Sequence, residues 1–200
     1  MAGARTALTV EAGLADDLRA ILRRCPTLMR VMEIARASDL PDWLIFSGAI
    51  YQPVWNHLTG RPLENGIKDY DLGYFDGSDL SYEAEDLIIE RVARACDKGL
   101  RERVEVRNQA RVHLWFENHF GVPYHSPLAN TAQALERFLA PAFAVGARLI
   151  DDGGLDIVAP FGLRDVFAMR IRRNPGSPGS GFDAVVAKTR KRWPELSIDN

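Results

Sequence analysis

The chain has little of what marks the specialised classes of protein. Its 200 residues include only two cysteines, Cys25 and Cys96, with no Cys-x-x-Cys or Cys/His ligand spacing. That excludes a disulfide framework and a zinc finger. Both cysteines fall in segments of helical pattern and are expected to be reduced, partly buried thiols in a reducing compartment. No apolar run approaches the length of a membrane span. Charge of one sign is also lacking: 25 Lys and Arg stand against 27 Asp and Glu, for a formal net charge of -2. The molecule as a whole therefore exerts no attraction on nucleic acid or on an anionic membrane. A membrane partner and a broad nucleic-acid surface are not expected, although a local basic patch is left open. Internal repeats and long low-complexity tracts are absent. Met1 to Thr9 has neither a basic n-region nor a sustained apolar h-region, so secretion is not expected and the cytoplasm is the expected compartment.

What is present is ordinary in amount and informative in order. A hydrophobic content of 46% supplies one well-filled core. Apolar residues recur at helical spacing from Val10 to Ala37, with Cys25-Pro26 predicted to break the stretch into two helices. Trp43 to Phe46 reads as a short apolar strand, Ala49 to Leu58 as a helix and Ile67 to Phe75 as a strand. Ser81 is expected to cap a helix reaching Cys96, with Glu83 and Glu85 suiting its positive end. Arg103 to Trp115 alternates as one long strand, broken after Phe120 by Gly121 and Pro123. Ala129 to Leu139 reads as a helix, Ala144 to Leu149 and Leu155 to Ala159 as strands, and Gly162 to Arg173 as an amphipathic helix. Asn174 to Gly181 holds three glycines, two prolines and two serines and reads as a mobile loop before a last helix, Phe182 to Trp193. The expected fold is α/β (α+β), a mixed sheet packed by helices, forming one domain. Its parts are an N-terminal helical segment over 1–40, a core over 41–173, and a loop with a C-terminal helix over 174–200.

The informative chemistry lies in Lys68-Asp69-Tyr70-Asp71-Leu72-Gly73. On a strand Asp69 and Asp71 share one face, with Cα atoms roughly 6–7 Å apart. Two carboxylates so placed can hold a hard cation such as Mg²⁺, completed by water and substrate phosphates. An Asp-x-Asp pair also serves simply to cap the exposed edge of a strand, yet Asp is a poor strand former. An EF-hand loop does not fit, because Gly73, Tyr74 and Leu80 stand where a ligand, Gly and Glu are required.

Two neighbouring segments add context. Phe46-Ser47-Gly48-Ala49 is a strand ending in a small-residue turn that opens a helix. Backbone N–H groups and the positive helix end are there free to meet a phosphate, with the Ser47 hydroxyl as a further donor and Gly48 allowing close approach. Downstream, period-two reading of Val104 to Leu114 puts Glu105, Arg107, Gln109, Arg111 and His113 on one face, with Asn108 the exception on the other. Such a row suits a phosphate-bearing ligand, and a merely solvated strand face gives the same pattern. Glu105 becomes a third metal ligand if this strand pairs beside the Asp-x-Asp strand.

Together these segments resemble the polymerase-beta nucleotidyltransferase superfamily, and more closely a bacterial nucleotidyltransferase-like family. Matching stretches are Ser-Gly-Ala-Ile at 47–50, Lys-Asp-Tyr-Asp at 68–71, Tyr-Phe-Asp at 74–76 and Asp-Leu-Ser at 79–81. Asn-Gln-Ala-Arg-Val-His at 108–113, Pro-Tyr at 123–124, Ala-Val-Gly-Ala-Arg at 144–148 and Ala-Pro-Phe-Gly-Leu at 159–163 continue the series. The resemblance implies transfer of a nucleoside monophosphate from a nucleoside triphosphate to an unidentified acceptor (small molecule, protein or RNA). It implies Mg²⁺ or Mn²⁺ held by Asp69, Asp71 and Glu105, and nucleotide binding by Ser47, Gly48 and Arg107. The chain departs from that family at Tyr51-Gln52, where Arg-Asn is usual. A catalytically silent nucleotide-binding or regulatory module with the same fold is the alternative. Arg107 is equally suited to neutralising Glu105. His113 is expected to be a satisfied structural histidine, Asp76, Asp79 and Glu83 to belong to a turn and a helix start, and Trp115, Tyr124 and Phe161 to be core.

Overall fold

The computed structural model describes residues 2–124 and 126–199, with residues 2–10 described by backbone alone. Met1, His125 and Asn200 lie outside the described residues, and with Met1 part of the Met1 to Thr9 reading. The predicted helical stretch divides at Cys25-Pro26 into α1 (Ala2–Leu22) and α2 (Pro26–Ala37), proline occupying the first helical position where its missing N–H costs nothing. Then come β1 (Leu44–Phe46), α3 (Gly48–Leu58), β2 (Tyr70–Tyr74) and α4 (Tyr82–Ala95). Ser81 caps α4 as expected, its side chain accepting from the Ala84 amide at 3.2 Å. A short α5 (Lys98–Arg101) leads into β3 (Val104–Asn108).

Strand order is β3-β2-β1-β4-β5, with β4 (Gly146–Leu149) and β5 (Leu155–Val158) completing the sheet. β2 and β3 run parallel, and the other pairings are antiparallel, so the sheet is mixed as the sequence predicts. One face is the main core: Ile45, Tyr70, Leu72, Tyr74, Val106 and Ala147 are buried there beneath α2, α3 and α4. The other face is covered only in part. Leu44, Phe46, Leu135 and Ala144 form a small second cluster, and Phe46 meets Phe138 edge to face at 5.6 Å. The same face over β2 and β3 carries Asp71, Glu105 and Arg107. Both cysteines are buried and unpaired. Burial pushes the Cys25 thiol up to about 12, with Glu64 acting in the same direction.

Three expectations change. The long strand from Arg103 ends at Asn108, after which a 3-10 turn (Gln109–Arg111) leads into α6 (Val112–Phe120), closed by left-handed Gly121. Its cause is Asn108, only 2% exposed. The Asn108 side chain accepts from the amides of Asp76 and Ala110, at 3.0 Å each, and donates to the Asp76 carbonyl at 2.8 Å. A polar side chain facing the core must be satisfied locally, and here it bonds the chain into a turn. The second change is that only Ala132–Glu136 of the stretch from Ala129 is helical (α7). The third is that Gly162 to Arg173 divides into α8 (Arg164–Phe167) and β6 (Arg170–Arg172). Strand β6 pairs in parallel with the unforeseen β7 (Ser197–Asp199), which follows α9 (Phe182–Arg192). That carboxy-terminal unit is tied to α3, since Trp55 meets Trp193 at 5.2 Å and Trp193 Nε1 donates to Asn56 Oδ1 at 3.2 Å.

Buried Glu85 holds the β3–α6 junction. Its carboxylate accepts from the Asn108 amide at 2.8 Å and pairs with Arg111, itself largely buried. Replacing Glu85 with Ala strands a guanidinium and an amide together, so Glu85→Ala should lower the unfolding free energy by about 3–5 kcal/mol in urea titrations. Glu83→Ala, on the exposed side of the same first turn, should change it by less than about 1 kcal/mol. Equal, small effects would contradict the junction's role.

Candidate active site

The site begins with a register. Asp71 on β2 stands directly opposite Glu105 on β3, and Gly73 opposite Arg107. Aligned residues of a parallel pair project to the same face, with strands about 4.8 Å apart. Asp71, Glu105 and Arg107 thus share the sheet face that is open to solvent. Asp69 lies just before β2 and is exposed, so the Asp-x-Asp pair straddles the strand's start. Among the described residues none of these three acids has an ion-pair or hydrogen-bond partner. Arg107 forms no ion pair with Glu105; its Nη1 donates to the Val106 carbonyl at 3.1 Å.

Asp71 feels this arrangement. Burial first, then the charges of Asp69 and Glu105, push its carboxyl up to about 7, with Arg107 pulling it down. Donor chemistry here fits a hard divalent cation, since the oxygens are anionic and unpartnered. A tight cage is another matter: among the described residues no group of three or more His, Cys, Asp and Glu is gathered closely enough to hold a metal. Mg²⁺ characteristically takes one or two protein carboxylates, with water and substrate phosphates as the rest. The acids fit such a ligand-completed site and do not fit a closed protein cage.

Beside the acids lies the Ser47-Gly48 turn. Phe46 pairs with Asp71 across β1 and β2, which brings the turn to the carboxylates. Ser47 adopts φ 59°, ψ -123°, a conformation that costs a non-glycine residue on the order of 1–3 kcal/mol. Its amide donates to the Val145 carbonyl at 2.9 Å, and its carbonyl accepts from the amides of Ile50 and Tyr51. The Ser47 hydroxyl does not cap α3, and among the described residues no acceptor stands against the Gly48 and Ala49 amides. Those donors are of the kind that meet anions at helix starts. Gly73 leaves room for the floor of the site: a Cβ there would lie 2.4 Å from the Phe46 ring.

The Tyr51-Gln52 departure resolves structurally. Tyr51 is buried against Trp55 and Phe143, with ring centroids at 4.5 and 5.1 Å, and burial pushes its hydroxyl up to about 12. Gln52 folds back over Gly48, where an added Cβ would meet its Nε2 at 2.7 Å. Its Oε1 accepts from Arg192 Nη1 at 3.0 Å. A cation from α9 therefore stands behind the turn, with its second nitrogen donating to the Asn65 carbonyl.

Ser47, Asp71, Glu105 and Arg107 line one cleft of about 860 Å³. Gly48 and Asp69 flank it and are not among its lining residues. Sequence reading missed much of the remaining wall, which comes from α6 and the segment beyond it: Phe116, His119, Phe120 and Arg137. Aromatic residues at 115, 116, 119 and 120 follow helical spacing, but the alternation leading into them reads as strand. Trp115, Tyr124 and Phe161 are not core residues as expected; the first two line this cleft half-buried and Phe161 is exposed. His113 is not satisfied either, its buried Nδ1 having no hydrogen-bond partner. Asp76 and Asp79 are turn residues as expected, accepting from Ser78 and Ser81.

A solved NMR structure described as revealing a CCA-adding enzyme head domain is similar to this chain. Its TM-score is 0.72 at 21% identity, and the match covers 92% of this chain and 95% of that one. At that identity the likeness shows the fold. A family model described as nucleotidyltransferase matches residues 33–198, and the chain belongs to that nucleotidyltransferase family. Comparison with curated proteins finds no match. No helix among the described residues is long and apolar enough to cross a membrane.

The raised Asp71 carboxyl has a pH signature. Between about 4 and about 7 the folded state holds a proton that the unfolded state has released, so stability from this group is lost as pH rises through 7. Without divalent cations, Asp71→Asn should be more heat-stable than wild type at pH 8, and by a clearly smaller margin at pH 5. A variant-minus-wild-type difference that stays constant over that range would show that Asp71 is not held in this repulsive setting.

Proposed function

We propose that the cleft transfers a nucleoside monophosphate from a nucleoside triphosphate to a hydroxyl-bearing acceptor. The observation that carries this reading is the pairing of Asp71 with Glu105, carboxylates without partners among the described residues, beside a turn whose Gly48 and Ala49 amides likewise meet no acceptor there. Asp69, Asp71 and Glu105 would hold Mg²⁺ or Mn²⁺ once the substrate's phosphates and water complete the coordination. When bound, such a cation activates the attacking hydroxyl and offsets charge on the leaving pyrophosphate.

The chain's own groups do the rest. Gly48 and Ala49 amides, with the Ser47 hydroxyl, orient the phosphates against the start of α3. Arg107 lies on the same face and meets phosphate charge as a forked donor. Strain at Ser47 supports this role, because a non-glycine residue persists in that conformation where its surroundings over-determine it. Gln52, held by Arg192, presents its amide beside Gly48 in place of a charged side chain.

A second reading, a silent nucleotide-binding or regulatory module, is favoured by the absence of a tight acidic triad among the described residues. Release of pyrophosphate from nucleoside triphosphates, assayed with Mg²⁺ across an acceptor panel, separates the two. The transferase reading expects wild-type release that falls more than about 100-fold in Asp71→Asn, with folding retained by circular dichroism. Wild-type silence with every nucleotide and acceptor, together with metal-independent nucleotide binding, would favour the module.

A further inference from the structure

The part of the cleft that the phosphate chemistry leaves unused is an aromatic wall with a cation at its edge. Phe116 packs against Phe120 and Tyr124, with centroids 4.7 Å apart in each case. His119 meets Phe120 edge-on at 4.6 Å, and Trp115 stands 6.3 Å from Phe120. These rings line the cleft whose sheet floor carries Asp71 and Glu105. They are not a core: Phe120 is 50% exposed, and none of the five belongs to a buried cluster.

Charge says what suits that wall. Arg111 is spent on Glu85. Arg107 and Arg137 also line the cleft and have no carboxylate partner among the described residues. Arg137 lies 4.3 Å over the Tyr124 ring and donates from Nη2 to Ser126 Oγ at 2.8 Å. Acids lining the cleft are Asp71 and Glu105 on the floor, and Glu85, already paired. A planar π-system carrying an anionic group complements flat rings edged by a guanidinium group. With a formal net charge of -2 over the whole chain, one arginine at the wall without a carboxylate partner among the described residues suits a small anion better than a long polyanion.

We propose that this wall is the acceptor subsite and seats a nucleoside monophosphate, its base on the α6 rings and its phosphate at Arg137. The use of the bound nucleotide rests on the transferase reading above; the binding itself does not. In the transfer, a sugar hydroxyl oxygen of the seated nucleotide bonds to the α-phosphorus of the triphosphate. The bond from that phosphorus to the α–β bridging oxygen breaks, its electron pair leaves on pyrophosphate, and the hydroxyl proton passes to a cleft carboxylate and then to water.

Calorimetric titration of the full chain with AMP, GMP, CMP and UMP, in chelator without metal, tests the site. At least one should bind saturably, and Phe120→Ala and Arg137→Ala should each weaken it at least tenfold without lowering the melting temperature. Binding of a non-hydrolysable triphosphate with Mg²⁺ should stay within twofold in both variants. Undiminished monophosphate binding in the variants, or none by wild type, overturns the proposal. Parallel loss of triphosphate binding also overturns it, because the wall would then seat the donor base. Binding of single-stranded oligonucleotides with no mononucleotide binding overturns the small-ligand assignment. If monophosphate binds as predicted and no pyrophosphate is ever released, the subsite stands and the transferase reading fails.

Discussion

Parallel pairing of β2 with β3 places one carboxylate beside another on a sheet face that no helix fully covers. Asp71 and Glu105 face each other in register, Asp69 stands nearby, and among the described residues no cation is paired with any of them. Such a grouping opposes folding, since burial and mutual repulsion hold Asp71 protonated up to about 7. Unfavourable clusters of this kind concentrate at functional sites. Much of the architecture serves to present it, from the main core under α2, α3 and α4 to the partly open opposite face.

Two devices shape the space around the acids. Phe46 lies across β2 because Gly73 offers no side chain to obstruct it, and the same residue leads directly into the Ser47 turn. The floor of the cleft and the Ser47 bend beside it are thus set by one short strand. On the far side Glu85, Asn108 and Arg111 bend the chain out of β3 and into α6. That bend turns a run of aromatic residues toward the acids, so the wall and the carboxylates share one cleft. Position 192, far along the chain, completes the back of the turn by reaching Gln52.

Much of this was readable from residue order. The break at Cys25-Pro26, the Ser81 cap and the strand carrying Asp71 follow from local rules, and the mixed sheet follows from the alternation of elements. The juxtaposition of Glu105 with Asp71 was legible only conditionally, because strand neighbours and their register are set by long-range pairing. The end of β3 was misread because alternation persists through Arg111 and His113 while the chain has already turned. One buried polar residue, Asn108, is the signal, and it stood out as the exception in the pattern. Strands β6 and β7 escaped notice because three-residue strands carry too little periodicity to separate from helix ends. Arg192 could not be foreseen beside Gln52, since nothing local links residues 140 positions apart.

Diffraction from crystals soaked with Mn²⁺ and a non-hydrolysable nucleoside triphosphate tests the central claim most directly. Anomalous density should lie between Asp71 and Glu105, in contact with the phosphates and within reach of Asp69, with the phosphate chain against the start of α3. Manganese bound elsewhere, or phosphates seated away from the Ser47-Gly48 turn, would contradict the account.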